Sequence, residues 1–166
     1  MPVSDQGVTH DRFMVIPRTL IFLTRGDQVL LLKGSHHKRL WANRYNGVGG
    51  HVENGEDVLS AARRELMEET NLEVADLHLV GTVMVDTQQP TGIGIFVFRG
   101  EYKGGEIKSS KEGTLEWIDV ESFQNFPLVE DLPMLLPRVL AWKDGNALFF
   151  ARSYYDEGEK LRVVFA

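Results

Sequence analysis

Gly50-His51-Val52-Glu53-Asn54-Gly55-Glu56-Asp57-Val58-Leu59-Ser60-Ala61-Ala62-Arg63-Arg64-Glu65-Leu66-Met67-Glu68-Glu69-Thr70-Asn71-Leu72 decides how this chain is read. Residues 57–70 are dominated by helix formers, with no glycine or proline. Leu59, Ala62 and Leu66 fall at i, i+3 and i+7, one apolar stripe along a helix. At about 100° per residue, Glu65, Glu68 and Glu69 share an arc of roughly 100° on that helix. Carboxylates so placed repel one another; a helix shaped for stability alone would carry lysines between them. An oxygen-rich ledge of this kind suits a hard cation, Mg²⁺ or Mn²⁺. Mg²⁺ takes one or two protein carboxylates and completes its shell with water and substrate phosphates, which leaves a carboxylate to act as general base on a water. The ledge therefore points to hydrolysis of a phosphoanhydride, with a metal between an acidic site and an acidic substrate.

The bulk numbers agree with a small enzyme. The chain has 166 residues, 43% hydrophobic and 25% charged, as expected of one globular domain with a core. A formal net charge of −6 and a pI near 5.4 leave no broad basic footprint, so a nucleic-acid partner is not expected. There is no cysteine, which excludes disulfides, thiolate zinc sites and cysteine nucleophiles. Apolar runs such as 20–23 and 29–32 are far too short to span a bilayer, so no membrane partner is expected. Residues 1–13 do not read as a signal peptide, and the expected location is cytoplasmic.

Working outward from the helix, 1–13 reads as a loosely ordered segment and 14–166 as a single domain. Strands are expected at 18–24 and 28–33, joined as a hairpin by Arg25, Gly26 and Asp27. A basic loop follows at 34–47, holding His36, His37, Lys38 and Arg39, and then a short strand at 48–52. Further strands are expected at 77–87, 92–102, 115–119, 149–155 and 161–165. A second helix is expected at 131–141; Pro133 fits its first turn, whereas Pro137 predicts a kink or an earlier stop. Trp117 and Trp142 read as core anchors, and Trp41 as either core or a lid.

The order G-x5-E-x7-R-E-(apolar)-x-E-E-x-x-(apolar) over 50–72 resembles the Nudix box. Its six fixed residue types would recur by chance on the order of 10⁻⁸ per starting position. One position departs: Asn71 stands where that pattern has glycine, and asparagine is the next-best residue for a left-handed helix end. The resemblance implies an α+β fold, an α/β/α sandwich with a mixed sheet between helices. It implies that Arg64 orients the glutamates, that Glu68 and Glu69 hold the metal, and that Glu65 is ligand or base. It further implies that Gly50, or alternatively Gly49, offers a carbonyl to the metal and that Glu56 assists from the helix start. Lys111-Glu112-Gly113 resembles the loop that supplies a further acid in MutT-type members, with an incidental surface acid the equal alternative. Arg44-Tyr45-Asn46-Gly47-Val48-Gly49-Gly50 resembles the base-contacting segment of the 8-oxo-dGTP diphosphatase branch, which would make Asn46 a substrate contact. In that branch a stacking tryptophan precedes two acids; here Leu128 and Val129 precede Glu130 and Asp131. Asp131 is then either a substrate contact or a helix cap. The expected partner is a small nucleotide, a nucleoside triphosphate cleaved to monophosphate and pyrophosphate; ADP-ribose or dinucleotide substrates and a non-catalytic nucleotide sensor are the alternatives.

Overall fold

The first two strands are buried on both faces, and their side chains alternate between two apolar clusters, which sets the layers. In the computed structural model, which describes residues 2, 5–9, 11–37 and 41–166, β1 spans Met14–Arg25 and β2 spans Gln28–Gly34. Leu20, Phe22, Val29 and Leu31 belong to one apolar cluster, and Ile21, Leu23, Leu30 and Leu32 to another. Helix α1 (Val58–Thr70) closes the second cluster with Ala62 and Leu66. Helix α2 (Leu132–Ala141) closes the first with Leu132, Leu135, Leu136 and Val139. The result is the expected sandwich of a sheet between helices. Lys38 and Arg39 of the basic loop lie outside the described residues.

The remaining strands are β3 (Tyr45–Asn46), β4 (His78–Val85), β5 (Thr91–Glu101), β6 (Gly113–Asp119), β7 (Phe149–Tyr155) and β8 (Leu161–Phe165). Their order is β3-β2-β1-β5-β4-β7-β8, with β6 on the other edge of β2. The β1–β5 and β4–β7 pairs are parallel and the others antiparallel, so the sheet is mixed.

One irregularity positions the site. β1 and β2 are paired only at Thr24↔Val29 and Arg25↔Gln28. Beyond that, β2 takes β3 as its neighbour, while the edge of β1 takes isolated bridges, Ile21↔Val48 and Arg18↔His51. The glycine-rich turn is thus wedged into a split in the sheet. This corrects the strand expected at 48–52. The regular pairing lies at Tyr45–Asn46, and beyond it Gly49, at φ 148, leaves the geometry of a ladder.

Helix α2 runs through Pro137 to Ala141, the end of the span expected for it, so the earlier stop that Pro137 allowed does not occur. An interior proline costs about 3 kcal/mol. Four fully buried aliphatic side chains on the same helix contribute roughly 1.5–3 kcal/mol each, so packing wins. The tail of α2 is also held from the sheet. Arg99 Nη1 donates to the carbonyls of Val139 (3.2 Å), Leu140 (2.9 Å) and Trp142. Burial pushes the Arg99 pKa down, and the negative end of a helix is a favourable place for the cation that remains. Among the described residues, no helix is long and apolar enough to cross a membrane.

Candidate active site

Caps and a buried stripe fix both the register and the rotation of α1. The Asp57 carboxylate accepts from the N–H of Leu59 (2.9 Å) and Ser60 (3.0 Å), a side-chain N-cap. Asn71 ends the helix in the left-handed region at φ 62, with its N–H donating to the Met67 carbonyl, so asparagine keeps the backbone expected of glycine there. With Ala62 and Leu66 turned into the core, Glu65 and Glu69 face the glycine turn.

That turn hangs from β1, since the Gly50 carbonyl accepts from the Thr19 N–H at 2.8 Å. The Glu65 carboxylate fills the space a side chain on Gly50 would need, because a Cβ there would lie 2.5 Å from its oxygen. The Gly49 N–H donates to Glu69 Oε2 at 3.1 Å. Arg64 ties the acids together. It forms a two-pronged pair with Glu56 (2.6 and 3.1 Å), reaches Glu65 at 2.9 Å and Glu68 at 3.4 Å, and donates to the His51 carbonyl at 2.9 Å. These hydrogen bonds, with a further one from the Glu53 N–H, hold the Glu56 carboxyl below the usual carboxylate range. Glu56 therefore serves Arg64 rather than standing alone at the helix start.

Among the described residues, no three histidine, cysteine or acidic side chains already converge on a cation position. The donor set nevertheless fits a hard divalent ion. Glu65 and Glu69 are held against Gly50 and Gly49, and Glu68 is exposed one turn away. A cation of the Mg²⁺ type needs only one or two such carboxylates.

Next to this ledge lies a cavity of about 470 Å³, the size of a small-molecule site. Gly49 and Gly50 form part of its wall. Asn46, Asp131 and Arg18 also line it, and Val85, Ile93 and Ile95 give it an apolar floor. The cavity exists because Tyr45 pairs on one side with β2 and on the other with Leu128 and Val129, which brings Asn46 and the 128–131 segment together. Burial, then the charge of Glu130, pushes the Asp131 carboxyl above the usual range.

The NUDIX domain family model matches residues 14–139. This chain belongs to the NUDIX family. It is 32% identical over 126 residues to the oxidized purine nucleoside triphosphate hydrolase of Danio rerio, covering 75% of this chain and 80% of that protein. It is 29% identical over 141 residues to the NAD-capped RNA hydrolase of Pseudomonas aeruginosa, covering 83% of this chain and 49% of that protein. Its fold superposes on the MutT mutator protein of Bacillus halodurans with a TM-score of 0.76 at 25% identity, covering 90% of this chain and 97% of that one. The chain is accordingly a Nudix-type pyrophosphohydrolase.

Several site residues of this Nudix hydrolase stand differently from their sequence reading. Gly50, Arg64, Glu65, Glu68 and Glu69 come together, and Asn46 and Asp131 share the adjoining cavity. Glu112 is not among the residues lining that cavity. It precedes β6, its carbonyl accepting from the Ser35 N–H and its own N–H donating to Ser110 Oγ. Asp131 makes no side-chain cap on α2, which corrects the capping alternative; its backbone carbonyl accepts from Met134 and Leu135 instead. Tyr45, beside Asn46, lies in the core. It is buried, edge-on to Phe126 and hydrogen-bonded to Glu116, and burial together with that bond pushes its phenol up to about 12. Trp41 is not core: it is 51% exposed at the cavity, on a left-handed backbone at φ 59. His36 lines a separate cleft with Lys33 and Lys111. Arg18, Ser153 and Tyr155 in the cavity wall went unread as site residues, because each sits in a strand whose local pattern carries no chemical motif, and Arg44 was read only as the first residue of the segment around Asn46.

Proposed function

We propose that this protein cleaves nucleoside triphosphates, oxidised purine forms among them, to monophosphate and pyrophosphate with Mg²⁺ or Mn²⁺. The observation that carries this reading is the shared wall at Gly49 and Gly50, which sets a nucleoside-sized cavity directly beside the carboxylate ledge. The activity for which the relatives in Danio rerio and Mus musculus are named supports the same substrate class. In this reading Glu65, Glu68 and Glu69, with the Gly50 carbonyl, would hold the cation, which would supply charge neutralisation at the phosphates. One of these glutamates takes a proton from the attacking water. The water oxygen bonds to phosphorus, the anhydride P–O bond breaks, and pyrophosphate leaves. Arg64 restrains the carboxylates in position, and Asn46 and Asp131 bind the base.

Glu68→Gln and Glu69→Gln should each lower kcat by roughly 10²–10⁴-fold while leaving the fold intact by circular dichroism. Unchanged Mg²⁺-dependent turnover in both variants would sink the proposal. Running the wild type against triphosphates, ADP-ribose and dinucleotides, with the products identified, separates the substrate classes.

A further inference from the structure

Three arginines stand around the junction of cavity and ledge, and two of them are engaged. Arg64 is taken up by Glu56, Glu65, Glu68 and the His51 carbonyl. Arg44 Nη1 donates to the Leu128 carbonyl at 3.1 Å. Arg18 differs, because its Nε is buried and has no hydrogen-bond partner among the described residues. A buried donor left unmet is costly, and native proteins seldom tolerate one without a purpose.

The position of Arg18 says what it could meet. It lies in β1 as the bridge partner of His51, and both residues line the cavity. The carbonyl of His51 is bonded to Arg64, so Arg18 stands where the cavity gives way to the ledge. A nucleotide with its base between Asn46 and Asp131 and its anhydride at the glutamates must run its phosphates past this point. The protein is acidic overall, at −6, so it needs local cations to admit a polyanion. A guanidinium presents a planar fork of donors that matches phosphate oxygens.

We infer that Arg18 binds the phosphate chain of the nucleotide, receiving a phosphate oxygen on its unmet donor as the substrate enters. The inference rests on the nucleotide-hydrolase reading above and adds to it the residue that distinguishes a nucleotide from a bare nucleoside. Arg18 stabilises the complex at the expense of the empty protein, as binding-site polar groups commonly do.

The test compares wild type, Arg18→Met and Arg18→Lys in metal-free buffer with EDTA, using guanosine and GMP as probes by calorimetry and thermal melting. Wild type should bind GMP roughly tenfold more tightly than guanosine, and Arg18→Met should erase that difference while keeping guanosine affinity. Arg18→Lys should recover part of it. The ligand-free Met variant should melt at or above the wild-type temperature, whereas its shift with GMP should shrink. Wild-type affinity for GMP in Arg18→Met, an equal loss for guanosine and GMP, or a lower ligand-free Tm each overturns the inference. Because these are binding readouts, they stand apart from turnover. A wild type that hydrolyses no triphosphate yet loses its GMP preference on Arg18→Met overturns the hydrolytic reading and leaves Arg18 as the phosphate residue.

Discussion

The ledge draws Glu56, Arg64, Glu65, Glu68 and Glu69 from one unbroken stretch, whereas the cavity draws Arg18 from β1, Asn46 from β3, Asp131 from the head of α2 and Tyr155 from the end of β7. In the ledge, helical spacing does the positioning, and one arginine holds three acids. In the cavity, strand order does it, and each wall arrives from a different part of the chain. The regions touch at Gly49 and Gly50. On the proposed function, this contrast makes chemistry and selection separable. A change in the ledge should move kcat, and a change in the cavity should move KM and the choice of substrate.

The sharpest way to break that division is at Arg64. Arg64→Ala removes the cation that holds Glu56, Glu65 and Glu68, so kcat should fall by about 10²-fold with KM within a few-fold in steady-state assays. A variant that loses KM and keeps kcat would contradict the division. Asn46→Ala is the counterpart, expected to raise KM by about tenfold with kcat within twofold. The double variant should then show the product of the two effects, because independent sites add in free energy. A combined effect far from that product would show the two regions to be coupled through the glycine wall.

The smallest effect concerns pH. Asp131 titrates higher in the folded protein than in the unfolded chain, because burial and Glu130 oppose its charge. Its contribution to stability is therefore intact below the ordinary carboxylate pKa and is lost as pH rises through its own raised pKa. Asp131→Asn cannot ionise. Its melting temperature should gain on the wild type by about 2 °C as pH is raised through that window, read from melts at stepped pH. A constant difference between the two proteins across the range would show that burial does not raise the Asp131 carboxyl.

Much of this was legible in the chain itself, for reasons of range. The α1 stripe of Leu59, Ala62 and Leu66, the Asp57 start and the Asn71 end are local signals, and each is where spacing puts it. The strands of the β1–β2 hairpin were legible as apolar runs around a turn, and the α/β/α layering followed from the family resemblance. What spacing could not give was the split between β1 and β2, because it depends on a partner, residues 45–51, reached across a loop. The burial of Tyr45 was hidden likewise, since its neighbours Phe126 and Glu116 lie far away in sequence. Pro137 misled because a local rule of helix breaking was outweighed by four buried side chains supplied by the fold.

The grip of Arg99 on the tail of α2 has a consequence at the other end of that helix. Ten residues of α-helix make a rod of about 15 Å, and this rod is fixed to β5 at its tail while its head carries Asp131 into the cavity. At that head the exposed Glu130 can change while the helix and the ledge stay in register, whereas Leu128 and Val129 are buried and paired with Tyr45. The clamp thus keeps one end of the rod fixed while a single side chain at the other end stays open to change.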